Sequence, residues 1–96
     1  MAYDPGAIDA TLAAAVGDEP ALVAELREAF LDSAARALNT MRAATGPEGW
    51  CAAALRLKGL AASFGAVRLM AIAQEATETP LDVAMLRKVE RAVARL

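Results

Sequence analysis

Apolar side chains recur at helical spacing along most of the chain, and glycine, proline and small polar residues interrupt the pattern at regular distances. In the best example, Leu22, Leu26, Phe30, Ala37 and Met41 fall on one side of a single long helix. The pattern predicts four main helices, at about 20–44, 47–63, 66–78 and 80–96. A shorter one is expected before them, opening at "DPG" (4–6) and stopping at Gly17.

Start and stop signals place the ends of these helices. We expect Asp18 or Glu19 to cap the helix that has Pro20 in its first turn, and Pro47 to begin the next. "TPLD" (79–82) resembles a capping box with aspartate in the last place, which predicts Thr79 as the cap of the final helix. The segment from 47 to 78 is too long for one helix among such neighbours. It is therefore divided at Gly65, which can adopt the left-handed conformation that ends helices.

These elements predict an all-α fold. Short connections make consecutive helices antiparallel neighbours, so we expect an up-down antiparallel four-helix bundle with a short additional N-terminal helix. A chain of 96 residues accommodates one core, and we treat 1–96 as a single domain.

The helix predicted at 47–63 has an unusual outer face. At 100° per residue, its large apolar side chains share a sector of about 120° that we expect to be buried, with Leu57, Leu60 and Phe64 among them. Leu55 points almost directly away from that sector, so it should be exposed. Its neighbours on the outer face are mostly very small, with basic side chains at the two flanks: Cys51, Ala52, Arg56, Lys58, Gly59 and Ala62.

Composition narrows the classes of function. The net charge of −2, without a run of basic residues, argues against nucleic acid as a partner, and no apolar run is long enough to cross a membrane. The first residues lack the features of a signal peptide and the single cysteine allows no intrachain disulfide, so we expect a cytoplasmic protein. The chain contains no histidine, and no motif for a metal, nucleotide or other cofactor is present. We expect no enzymatic activity.

The stretch "AALRLKGLAASFGAVRL" resembles the signature of histidine-containing phosphotransfer (HPt) domains, which reads approximately Ala-His-x-Leu-Lys-Gly, a small-residue stretch, Gly-Ala and a later leucine. The preceding helix, the "GPEGW" turn, the chain length and the number of helices are also similar to the family. The matching positions are Ala54, Leu57, Lys58, Gly59, Gly65, Ala66 and Leu69. Where the family has its phosphorylated histidine, this chain has Leu55.

The resemblance implies a role in two-component signalling. In a working member, the histidine exchanges a phosphoryl group with the aspartate of a receiver domain, the lysine offsets phosphate charge, and the glycine lets the receiver approach. Leucine cannot be phosphorylated. Cys51 and Ser63 lie near the same face, but we expect the cysteine to be inert and Ser63 to cap the following helix.

Three hypotheses therefore stand. The first is a binding module that docks a receiver domain or a histidine kinase without phosphotransfer, as inhibitor, adaptor or decoy, through Leu55, Lys58, Gly59, Arg56, Ala62, Cys51 and Ala52. The second is a phosphorelay protein whose acceptor histidine has been replaced. The third is a dimerisation or scaffold unit, although we expect a monomer rather than a homodimer.

Overall fold

Helices account for most of the residues described by the computed structural model, which are 10–14, 17 and 19–96. Residues 10–14 are helical, and four longer helices follow: α1 (Pro20–Ala43), α2 (Pro47–Phe64), α3 (Val67–Glu78) and α4 (Val83–Ala94). No strand occurs in these described ranges. The prediction of an all-α fold is confirmed, and the bounds of α1, α2 and α3 lie within about one residue of the predicted ones. The predicted start of the N-terminal helix at 4–6 lies outside the described residues, as does Asp18.

Proline begins α1 and α2 and glycine ends α2, as predicted. Glu19 occupies the N-cap position of α1, although its side chain makes no capping hydrogen bond, and Pro20 follows it. The α2 helix begins at Pro47 and ends at Phe64, and its C-cap Gly65 has a left-handed φ of 74°. The Ala66 amide donates to the Ala61 carbonyl at 2.8 Å, the long-range bond of a Schellman motif.

The final helix begins later than predicted, so the expectation that Thr79 caps it is wrong. The Thr79 hydroxyl donates backwards to the Glu75 carbonyl at 3.2 Å, which ties it to the end of α3. Leu81 has a φ of 63°, so the chain turns there before α4 can start. Asp82 is the cap, because its carboxylate accepts the Met85 amide at 2.9 Å.

The four long helices contact one another in a closed ring. Each packs on the next in sequence, and α4 returns to pack on α1, whereas the backbones of α1 and α3, and of α2 and α4, are not adjacent among the described residues. The connections are short, at 44–46, 65–66 and 79–82. This arrangement places α2 between α1 and α3 and leaves its outer side uncovered by α4.

The core is built largely from alanine and a few large side chains. Trp50 and Phe30 are the largest fully buried residues, and the Trp50 indole Nε1 donates to the Ala76 carbonyl at 2.7 Å, which joins α2 to α3. The Phe30 and Phe64 rings stack with centroids 4.7 Å apart and join α1 to the end of α2. Within α2 the buried residues are Trp50, Ala53, Ala54, Leu57 and Ala61.

Two of the predicted core positions are only half-buried. Leu60 packs against the core but lines a groove between α1 and α2, so part of its side chain stays accessible. Phe64 is the last residue of α2, where its ring is covered by Phe30 on one side but not fully enclosed. Both side chains pack against the core, but they are only half-buried, so the prediction that they are buried is not fully met.

Across the described part of the chain, no helix combines the length and the apolar character that crossing a bilayer demands.

Candidate functional site

Leu55 lies exposed on the outer side of α2, with 55% of its surface accessible. It is flanked by side chains that are themselves exposed and mostly very small. We call this surface the Leu55 face and define it by Ala52, Leu55, Arg56, Gly59 and Ala62, all of which are exposed. The predicted exposure of Leu55 is confirmed.

Gly59 has no packing reason to be glycine. It lies in the interior of α2, one turn after Leu55, and a Cβ built on it would meet no heavy atom within 4 Å. Glycine inside a helix costs about 1 kcal/mol relative to alanine. The fold therefore carries a destabilising residue at a place where a methyl group would fit, which leaves open backbone beside Leu55.

Lys58 is the basic residue on the α3 side of the Leu55 face. It is half-buried, and its Nζ donates to Gln74 Oε1 of α3 at 2.6 Å. Gln74 is held in turn by Thr77, whose hydroxyl donates to the Gln74 carbonyl at 2.6 Å and lies 3.5 Å from the Gln74 amide nitrogen. The ammonium group thus lies at an ordered polar edge between α2 and α3.

Cys51 lies at the same edge, one turn before Leu55. It is half-buried, and its thiol donates to the Thr77 carbonyl at 3.5 Å. Thr77 therefore contacts the site twice, through its hydroxyl towards Gln74 and through its carbonyl towards Cys51. The structure turns Cys51 and Lys58 to the α3 border of the Leu55 face rather than to its centre.

Arg56 lies on the opposite border, facing α1. Together with Thr40 and Ala37 of α1 it lines a small hollow, and with Arg36 and Ser33 it lines a second one of about 270 Å³. Among the described residues Arg56 makes no hydrogen bond or ion pair. The two basic flanks predicted around Leu55 are present, but only Lys58 is engaged.

Ser63 does not cap the following helix, contrary to expectation. It is exposed and still belongs to α2, whereas the N-cap position of α3 is held by Ala66 without a side-chain capping bond. The reason is that α2 continues to Phe64 and the turn is made by Gly65, so residue 63 is too early to reach the first amides of α3.

Sequence reasoning missed Gln74, Thr77 and Arg36, which all border the site from other helices. No local pattern marks them, since their importance comes from the register of α1 and α3 against α2. Among the described residues, no group of three or more aspartate, glutamate, histidine or cysteine side chains is arranged to hold a metal ion.

The arrangement combines an exposed apolar side chain, an open backbone and two cations, of which Arg56 has no partner among the described residues. It offers no nucleophile at its centre, because leucine has no lone pair. Such a surface is suited to contact another protein. Comparison with known proteins adds no assignment: no family model, no curated protein and no solved structure matches the chain.

Proposed function

We propose that this chain is an HPt-like module that docks a receiver domain or a histidine kinase through the Leu55 face without carrying phosphate itself. The observation that carries the proposal is the pairing of Leu55 and Gly59. An exposed leucine alone is common on protein surfaces. An exposed glycine one turn away, inside a helix and with open space around it, is explained when a partner must approach the backbone there.

The proposed architecture is an up-down antiparallel four-helix bundle of one domain. The closed ring of helix contacts and the short connections support it, because helices joined by a few residues pack as antiparallel neighbours. In this arrangement α2 presents its whole outer side to a partner while its inner side is buried by Trp50, Leu57 and their alanine neighbours.

The loss of phosphotransfer follows from the residue at position 55. A phosphoryl acceptor needs a nucleophilic lone pair, which leucine and the alanines and glycine beside it lack, and the Cys51 thiol is bonded to the Thr77 carbonyl at the α3 border. Leu55 can instead pack against apolar side chains of the partner, and Arg56 and Lys58 can orient it by charge. We therefore propose a non-enzymatic cytoplasmic monomer that acts as an inhibitor, adaptor or decoy in two-component signalling.

A pull-down from extract of the native cells tests the docking. The wild-type chain is compared with Leu55→Arg, and Val67→Arg is the matched control, because Val67 is also apolar and 66% exposed but begins α3. We expect the wild type and Val67→Arg to recover a protein containing a receiver or kinase domain, and Leu55→Arg to lose it.

Two results would contradict the proposal. Equal recovery by all three forms would remove the Leu55 face as the binding surface. A wild-type mass of twice the monomer by light scattering, reduced to the monomer by Leu55→Arg, would show that the face joins two copies of the chain and would favour the scaffold hypothesis.

A further inference from the structure

A groove runs between α1 and α2 along the border of the Leu55 face. Its walls are Arg36 and Thr40 from α1 and Ala52 and Arg56 from α2, and Leu60 lies at one end. The groove consists of the two hollows described above, and Arg56 lines both of them. The groove opens beside the exposed Leu55 face.

The groove contains positive charge that the fold does not neutralise. Arg56 has no ion pair among the described residues. Arg36 pairs with Asp32 one turn before it on α1 at 2.9 Å, but the two side chains are 71% and 67% exposed, and such pairs are weak in water. A stronger anion entering the groove can therefore recruit both guanidinium groups.

The size and surroundings of the groove favour a single carboxylate over an extended polyanion. Two guanidinium groups on facing helices suit the paired oxygens of one carboxylate, which arginine binds in a bidentate manner. Glu25, Glu28 and Asp32 are exposed along α1, and Asp32 lies one turn before Arg36 of the groove. An extended polyanion such as nucleic acid or an anionic membrane would also lie over these carboxylates, whereas a single carboxylate can meet the two guanidinium groups alone.

We infer that the α1–α2 groove receives an aspartate or glutamate side chain of the protein that docks on the Leu55 face. This inference rests on the proposed function and adds the chemistry of the partner: an apolar patch that covers Leu55, with an acidic residue beside it on the α1 side. The partner is thereby oriented, because Lys58 on the other border is bonded to Gln74, while Arg56 has no hydrogen bond or ion pair within the described part of the chain.

The test uses the intact chain and purified receiver and histidine-kinase domains encoded in the same genome as probes. Each is titrated by biolayer interferometry at about 50 and about 300 mM NaCl, because pairing between partly exposed charges weakens with salt. The variants are Arg36→Gln, Arg56→Gln and the double variant. Arg87→Gln is the matched control, since Arg87 is exposed on α4, whose backbone is not adjacent to that of α2. Circular dichroism verifies that every variant is folded.

For the probe that binds the wild type, we expect the double variant to raise Kd about tenfold or more and to flatten its salt dependence. Arg87→Gln should stay within about twofold of the wild type. Arg56→Glu should bind poorly and recover when one acidic residue of the probe is changed to arginine, which identifies the carboxylate.

Failure of the groove inference and failure of the proposed function give different results. If Leu55→Arg abolishes binding but the double variant behaves like Arg87→Gln, the groove inference is overturned while docking on the Leu55 face stands. If no probe binds the wild type, the proposed function fails and the groove inference, which depends on it, fails with it.

Discussion

The Lys58 ammonium group donates a 2.6 Å hydrogen bond to the side-chain oxygen of Gln74, and this contact orders one border of the Leu55 face. On the same border the Cys51 thiol is bonded to the Thr77 carbonyl. On the opposite border Arg56 faces α1, makes no hydrogen bond or ion pair among the described residues, and lines a groove. The two sides of Leu55 are therefore unlike: the α3 side is closed by polar contacts and the α1 side is accessible.

The Lys58–Gln74 contact should matter little for stability. We expect Lys58→Gln and Gln74→Ala each to change the free energy of unfolding by less than about 0.5 kcal/mol in urea denaturation, because the bonded groups are exposed to solvent. The two variants should differ in how tightly they bind the partner. Lys58→Gln removes a cation that the partner contacts and weakens docking, whereas Gln74→Ala frees that cation and does not. Equal weakening by both would show that Lys58 acts only by holding α3 in place.

Gly59 should be a site where stability can be gained. We expect Gly59→Ala to raise the free energy of unfolding by about 0.5–1 kcal/mol, because an added methyl group meets open space and alanine favours the helix. Gly65→Ala is the control and should have the opposite effect, since Gly65 has a φ of 74°. Chemical denaturation of both variants measures these changes in the free energy of unfolding. A destabilised Gly59→Ala would mean that the position is constrained by the fold and not left open for a partner.

Trp50 should be a main support of the helix that carries the site. We expect Trp50→Phe to lower the free energy of unfolding by about 2 kcal/mol, because it removes a buried hydrogen bond to the Ala76 carbonyl together with part of the indole volume. Urea denaturation followed by far-UV circular dichroism measures this loss. A change below about 0.5 kcal/mol would contradict the role given to the α2–α3 contact.

Histidine at position 55 should restore a phosphoryl acceptor. We expect Leu55→His to fold with little change in stability, since the position is exposed and the two residues differ by only tenths of a kcal/mol in helix propensity. With phosphorylated receiver domains from the same organism as donors, the variant should gain acid-labile label and the wild type none. Positioning supplies most of the catalysis of phosphoryl transfer, so uptake would show that the docking geometry is retained.

Two other outcomes of that experiment are informative. A folded variant that binds a receiver but takes up no phosphate would show a surface adapted to docking alone. Label on the wild-type chain, mapped to Cys51 or Ser63, would show that an alternative acceptor exists and would contradict docking without phosphotransfer.

The helices and the outward direction of Leu55 could be predicted because they depend on local information. Proline at a helix start and glycine at a helix end act within a turn, and the 100° step fixes which residues share a face. The same local reasoning failed at Thr79. A threonine side chain can cap the helix that follows it or donate to a carbonyl of the helix before it. The left-handed turn at Leu81 delays the start of α4, and the Thr79 hydroxyl donates to Glu75 of α3.

The borders of the site could not be predicted, because they depend on how the helices are placed against one another. Gln74 is 16 residues from Lys58, and Arg36 is 20 from Arg56. Nothing in the spacing within α2 indicates which residues of α1 and α3 lie opposite. The degree of burial of Leu60 and Phe64 has the same origin, since it depends on how far α1 covers the end of α2.

The most direct test of the central claim is a titration of the ¹⁵N-labelled chain with the receiver or kinase domain that binds it, followed by amide chemical shifts. The account predicts that the largest changes fall on the outer side of α2, at Ala52, Leu55, Gly59 and Ala62, with smaller ones at Arg36 and Thr40 across the groove. Amides of α4, whose backbone is not adjacent to that of α2, should stay almost unchanged. Changes concentrated on α4, or none on α2 at saturation, would contradict docking through the Leu55 face.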